Sequence, residues 1–259
     1  MMADKIMTEF NRSNWARPEF VRQYRDNADI YIVERRRMIG ITKSFYKHFL
    51  SVRKENNILD LGCGDGIITH KLLEIDESMT ATLIDGSEDM LNKAKERLQG
   101  YDNVNFIKAS FQNVIEKGLP ARDYDFTVSS MAIHHLAMND KRELFRLIHS
   151  RLNTGGYFMN IDVLLAPSEA LDNWYMKIWE EWMDDKRAEL GALDEPSADV
   201  IRRYKDAEEN KPDTLDSQLN ALRDIGFKDA DCFYKYGIFA IYGGKKQDKA
   251  EKGKTNESV

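Results

Sequence analysis

Cysteine, net positive charge and long apolar runs are all scarce, and each shortage removes a class of function. Only Cys63 and Cys232 occur in 259 residues, which gives neither a disulfide framework nor metal-ligand spacing. With 44 Asp and Glu against 38 Lys and Arg the net charge is −6, so nothing global attracts nucleic acid, and it is disfavoured as a partner. No apolar run approaches the roughly 18 residues that a membrane span needs, and the first residues lack an apolar signal core. No membrane partner is therefore expected, and a cytoplasmic location follows by default. There is no internal repeat.

What is present suits a soluble globular chain: 42% hydrophobic and 32% charged residues. The length fits one large domain, or a domain with a helical appendage. The organising stretch is residues 58–67, I-L-D-L-G-C-G-D-G-I. The apolar run Ile58, Leu59 and Leu61 stops at Gly62, Gly64 and Gly66, which reads as a buried strand entering a tight turn. Residues 67–73 then have helical spacing. Strand, glycine turn and helix together let a backbone approach a ligand at a helix N-terminus. The glycines are spaced G-x-G-x-G, and Ile67 stands where a dinucleotide fingerprint needs its third glycine, which argues against NAD. Asp85 ends the next apolar run, residues 79–85, where a carboxylate can accept hydrogen bonds from both hydroxyls of a ribose.

Further strands are expected over 104–109, 123–130 and 157–165. Helices between them include one capped by Ser87. This β-α alternation predicts an α/β fold with a parallel, doubly wound sheet. Ahead of it, residues 17–27 and 30–50 read as helices of an N-terminal cap over 1–50, with Phe20, Val21 and Tyr24 on one face of the first. Arg35, Arg36 and Arg37 point in three directions around the second, either ion-paired or with one reaching an anionic ligand. Residues 168–210 form a helical insert in a main domain spanning 51–244. Tyr175, Ile178, Trp179, Trp182 and Met183 make an aromatic stripe in it, for packing, a substrate-pocket wall or a subunit contact in a homodimer. Residues 227–234 and 236–242 read as an antiparallel hairpin, and the polar tail 245–259 as disordered.

The motifs I-L-D-L-G-C-G-D-G, L-I-D-G-S-E-D-M, D-Y-D-F-T-V-S-S-M-A-I-H-H-L and L-N-T-G-G-Y, in that order, resemble the class I S-adenosylmethionine-dependent methyltransferases. The resemblance is strong over about residues 54–165 and extends to the terminal hairpin. It implies a Rossmann-like seven-stranded sheet, mostly parallel with an antiparallel end, helices on both faces, and S-adenosylmethionine as cofactor. By position it places Gly62, Cys63 and Gly64 against the methionine portion and ribose, and Asp60 at the turn or the ligand's amino group. It gives Asp85 the ribose hydroxyls, and sets Gly86 and Met90 beside the adenine. Ser110, followed by Phe111, stands where the family usually has an acid for the adenine amino group. Ser129 and Ser130 fall where the fourth strand approaches the methionine moiety and the acceptor. Cys63 reads as a small packing residue.

Two narrower likenesses are to UbiE/small-molecule-type methyltransferases and, faintly, to the carboxy-S-adenosylmethionine synthase of the wobble-uridine pathway. Both imply a tyrosine from the N-terminal helices over the cofactor, here Tyr31. The synthase binds an extra carboxylate with a late arginine, matched by Arg203.

Methyl transfer from a sulfonium needs alignment and exclusion of water, and a base only where an acceptor proton must leave. His134 and His135, just after the fourth strand, are the base candidates, with Asp162 and Tyr234 behind them. Ser129-Ser130-Met131-Ala132 replaces the N-P-P-aromatic motif of exocyclic-amine methylation. No cysteine is placed for pyrimidine activation, no acid pair marks protein arginine, and no Asp/Asp/Asn set implies a metal. The expected partner is a small, partly apolar or aromatic acceptor enclosed by the cap and the insert around Trp179. The function is methyl transfer to it. The alternatives are a cofactor-modifying synthase and a non-catalytic cofactor-binding protein.

Overall fold

The computed structural model describes residue 10 and residues 13–52, 55–191 and 195–247. Its seven strands are β1 (Asn57–Leu61), β2 (Thr80–Asp85), β3 (Val104–Lys108), β4 (Tyr124–Ser130), β5 (Leu152–Val163), β6 (Phe227–Tyr236) and β7 (Phe239–Lys246). They form one sheet in the order β3-β2-β1-β4-β5-β7-β6. β1 pairs parallel with β2 and β4, β2 with β3, and β4 with β5, whereas β7 runs antiparallel to β5 and β6. The order reverses at β1 and β4, so their C-terminal ends open a crevice at the topological switch point.

Both faces of the sheet are covered. On one side α3 (Arg35–Phe49), α4 (Ile67–Leu73) and α5 (Glu88–Arg97) pack Met38, Leu72 and Ala94 onto Ile58, Leu83 and Phe126. On the other, α6 (Phe111–Lys117), α7 (Met138–Arg151) and α10 (Leu215–Ile225) set Val114, Leu144 and Leu222 against Leu59, Tyr124 and Phe158. Burial on both faces is why β1 reads as an almost continuous apolar run and not as an alternation.

The cap is α1 (Pro18–Asp26) and the short α2 (Ala28–Tyr31). The single helix expected over 30–50 is therefore corrected to two pieces. Glu34 takes φ 51°, and the break tucks Ile32 and Val33 into the core. Of the three arginines, Arg35 and Arg36 pair with Asp29, and the Arg37 guanidinium lies 6.0 Å from the Tyr234 ring centroid. The insert carries α8 (Glu169–Leu190) and α9 (Ser197–Asp206). Its aromatic stripe packs inward: Trp179 meets Phe239 and Tyr204 edge-on and donates its indole N–H to the Tyr31 carbonyl at 2.9 Å.

Several strand boundaries also move. β5 starts at Leu152, because Gly156 lets the chain pass where a Cβ would stand 3.0 Å from the Asp125 carbonyl. β7 continues through Lys245 and Lys246, so those residues leave the expected tail; 248–259 lie outside the described residues. Among the described residues no helix is long and apolar enough to cross a membrane.

Candidate active site

The crevice holds a cavity of about 400 Å³. Its floor is the glycine turn. Gly62, Gly64 and Gly66 all have positive φ (65°, 54° and 74°), a conformation costly for other residues. At Gly62 a Cβ would collide with Ala132 and press on Phe111. At Gly64 the nearest atom to a Cβ is the Met90 sulfur, at 4.0 Å, so a side chain there would fill cavity space instead of striking protein.

Asp85 closes the far wall. Its Oδ2 accepts the Gly64 N–H at 2.9 Å, and Oδ1 accepts the Ser87 N–H at 2.8 Å. Burial pushes its carboxyl above the ordinary value, and these backbone bonds partly oppose the shift. A carboxylate has about four acceptor sites, so two remain for ligand hydroxyls. Gly86, Met90 and Phe111 complete an apolar side, where the ring of Phe10 lies against Gly86. Ser110 also borders the cavity, but its hydroxyl caps α6, accepting the Asn113 N–H at 3.2 Å. Ser130 lines the opposite side.

Several expected residues stand elsewhere. Ser129 turns away and donates to the Leu61 carbonyl at 2.7 Å, stitching β4 to β1. Asp60 lies beneath the turn, where Oδ2 accepts the Thr69 hydroxyl at 2.7 Å and Oδ1 is buried without a partner. Burial pushes its carboxyl up to about 7, with Asp85 and Asp65 adding to the shift. Cys63 borders a smaller cavity of about 70 Å³ that shares Gly62, Gly64, Met90 and Met131 with the large one, and burial raises its thiol well above the usual range, as suits a packing residue. Tyr234 sits on β6 beneath Arg37, bordering none of these cavities.

Tyr31 is a further correction. It borders not the large cavity but a second one of about 100 Å³, with its hydroxyl 3.3 Å from Glu195. Tyr24, on the apolar face of α1, borders both cavities instead, and so do Trp15 and Met131. Arg203, Trp179 and His134 wall the second cavity, and His135 stands between the two. Arg203 is engaged by Glu195 through both terminal nitrogens, the second at 3.1 Å.

The two histidines differ sharply. His135 receives the Trp15 indole N–H on Nε2 at 2.8 Å, and its Nδ1 lies 3.1 Å from the Glu209 carbonyl. Burial, with His134 beside it, lowers its pKa to about 3. His134 instead faces Asp162, with Nδ1 2.5 Å from Oδ1 and its backbone N–H 2.9 Å from Oδ2. Glu209 also accepts the backbone N–H of Asn14 at 3.1 Å and its side-chain amide at 3.0 Å, tying the cap to the end of the insert.

A model of the methyltransferase domain matches residues 53–215. The chain belongs to that family. Its cofactor is S-adenosylmethionine, and the residues fit it: a glycine cradle, Asp85 with free acceptor capacity, and apolar Met90 and Phe111. Over 104 residues the chain is 34% identical to malonyl-[acyl-carrier protein] O-methyltransferase 1 of Ilyobacter polytropus, 40% of this chain and 37% of that one. It is 24% identical to the carboxy-S-adenosyl-L-methionine synthase of Nautilia profundicola over 76% of this chain and 79% of that protein.

In structure it resembles an O-methyltransferase family protein from Burkholderia thailandensis, with TM-score 0.65 and 12% identity over 92% of this chain and 63% of that one. It also resembles PigF with SAH, with TM-score 0.58 and 15% identity over 90% and 60%. These likenesses are of fold. The chain spans well under half of the malonyl-carrier relative and under two thirds of either solved chain.

The glycine turn and Asp85 carry clear sequence signals. Tyr24, Met131 and Glu209 do not. Met131 is the non-glycine residue at φ 53° immediately after β4, where its side chain reaches the border between the cavities.

Proposed function

We propose that this methyltransferase transfers a methyl group from S-adenosylmethionine in the large cavity to a small, largely aromatic acceptor in the second one. The supporting observation is the shared border: Trp15, Tyr24, Met131 and His135 touch both spaces, so their occupants meet there. The cofactor supplies an electrophilic methyl on a cationic sulfur, and the protein's task is to align the acceptor and keep water out. The glycine turn and Asp85 hold the donor end. Phe20, Tyr31, Trp179, Tyr204 and Phe239 enclose the acceptor end. At about 100 Å³ the second cavity is smaller than the ~150 Å³ apolar cavity that accommodates benzene, so a bound ring would extend through the shared border into the large cavity.

The similarity to carboxy-S-adenosyl-L-methionine synthases raises a second reading, modification of the cofactor itself. It calls for a free cation to bind the extra carboxylate. Arg203, the residue matched to that role, already carries Glu195 as its counter-charge, which favours methyl transfer. The test is incubation with cofactor labelled in its methyl group and a panel of small phenols, catechols, thiols and amines. Label recovered on an acceptor with equal S-adenosylhomocysteine supports the proposal. Label remaining on sulfur in a new nucleoside overturns it in favour of the synthase.

A further inference from the structure

We infer that His134 is the general base of the transfer, that Asp162 positions it, and that the acceptor carries an ionisable hydroxyl and no anionic group. This rests on the preceding reading, that an acceptor occupies the second cavity. The geometry separates two neighbouring histidines into different jobs. His135 has both ring nitrogens committed, one to the Trp15 indole and one to the Glu209 carbonyl, and serves as a neutral clamp between cap and insert. His134 is held from one side only. Asp162 takes its backbone N–H and its Nδ1, and is itself fixed by the Val163 N–H at 3.0 Å and the Asn160 amide at 3.3 Å.

An ionised carboxylate only accepts, so Nδ1 carries a proton, and in the neutral ring Nε2 is the atom that holds the lone pair. Nε2 makes no hydrogen bond among the described residues, and the ring walls the second cavity. Burial alone would raise the Asp162 carboxyl, but His134, the Val163 N–H and Lys141 outweigh it and hold it below its ordinary value.

The surroundings leave Asp162 as the counter-charge to this ring. Lys141 of α7 is paired with Asp213 at 2.6 Å. Tyr24 of α1, Tyr204 of α9 and Tyr242 of β7 are pushed up by burial and stay neutral. His135 stays neutral too. A proton arriving at Nε2 therefore finds an anion across the ring.

The acceptor's charge follows from the walls. Arg203 is taken by Glu195, so an anionic acceptor would lose its hydration without gaining a partner. A neutral hydroxyl that becomes nucleophilic only when its proton leaves suits both the apolar ring of walls and the waiting base. In the step, the hydroxyl proton first passes to Nε2, and the oxygen then forms the O–C bond with a lone pair. The C–S bond breaks with its pair left on sulfur. The products are a methyl ether, a neutral thioether and an imidazolium beside Asp162, which returns its proton to solvent after product leaves.

The experiment uses 4-nitrophenol, whose ionised form absorbs at longer wavelength, with wild-type protein, His134→Gln and Asp162→Asn, each saturated with S-adenosylhomocysteine. At a pH about one unit below the free phenol's midpoint, the wild-type complex should show the phenolate band. His134→Gln should lose it. Asp162→Asn should cut the ionised fraction by about tenfold, because the imidazolium has lost its counter-charge. Retained S-adenosylhomocysteine binding certifies that each variant is folded. Failure of the wild type to bind 4-nitrophenol, or binding as the neutral phenol, overturns the inference without reference to any variant. An unchanged band in His134→Gln overturns the base, and one in Asp162→Asn overturns the positioning role. Methyl transfer to a hydroxyl should fall by ~100-fold or more in His134→Gln. Transfer at the wild-type rate would refute the base and leave the methyltransferase reading standing.

Discussion

Replacing Asp85 with Asn tests the proposal that this carboxylate joins the glycine turn to the cofactor's ribose. In the wild type both carboxylate oxygens are used, one on the Gly64 N–H at 2.9 Å and one on the Ser87 N–H at 2.8 Å. An amide keeps one acceptor and points its NH2 at the other donor. One hydrogen bond to a charged group is lost, about 1.5–3 kcal/mol. Burial already disfavours this carboxylate's charge, which offsets part of the loss and puts the net cost near the lower figure. At roughly 2–4 °C per kcal/mol for a domain of this size, the apo protein should melt about 3–6 °C lower. The bound ribose loses a charged acceptor as well. A further ~1.5–3 kcal/mol raises the dissociation constant of S-adenosylhomocysteine by ~10- to 150-fold. Calorimetric titration and thermal unfolding read the two effects separately. A lower melting temperature with S-adenosylhomocysteine affinity within about twofold of wild type would refute the ribose role.

Three further perturbations test other parts of the site. Asp60→Asn removes a buried carboxyl raised from its ordinary 3.8 to about 7. In the folded protein it holds its proton where the unfolded chain has lost it, so wild-type stability falls as pH rises from about 4 to 7 and then levels. The variant's advantage in melting temperature, without cofactor, should therefore grow across that window, toward as much as about 4 kcal/mol; an advantage that shrinks with rising pH contradicts the assignment. Gly62→Ala places a Cβ against Ala132 at φ 65°, costing at least ~1–2 kcal/mol in backbone strain before the collision is counted. Calorimetry should show S-adenosylhomocysteine binding weakened by tenfold or more, and unaltered binding would mean the turn does not cradle the ligand. Glu195→Gln frees the Arg203 guanidinium in the second cavity. A panel of matched acceptors should shift toward carboxylated ones by tenfold or more, and an unmoved preference would place Arg203 outside acceptor recognition.

The glycine turn and the acid at the end of β2 were legible in the sequence because their requirements are local. A turn with positive φ at every second residue leaves a run of glycines, and an acid at the end of the next strand needs no knowledge of distant chain. The acceptor side is assembled from residues far apart. Trp15 meets His135 across 120 positions and Trp179 meets Tyr31 across 148. No spacing encodes such contacts. Tyr31 and Tyr24 sit seven residues apart in cap helices of similar apolar pattern. Which of them reaches the large cavity depends on the break at Asn27 between α1 and α2 and on the contact of α2 with α8, neither of which the periodicity reveals. His134 and His135 look equivalent as a sequence pair. Their partners, Asp162 on β5 and Trp15 with Glu209 from the cap and insert, make one a candidate base and the other a clamp.

The most direct test of the two-cavity account is a crystal structure with S-adenosylhomocysteine and a phenolic acceptor bound together. The account predicts the ribose hydroxyls on Asp85, the sulfur at the shared border near Met131, and the acceptor oxygen within hydrogen-bond reach of His134 Nε2 and in line with the sulfur. A sulfur directed away from that border, or an acceptor bound outside the second cavity, would contradict it.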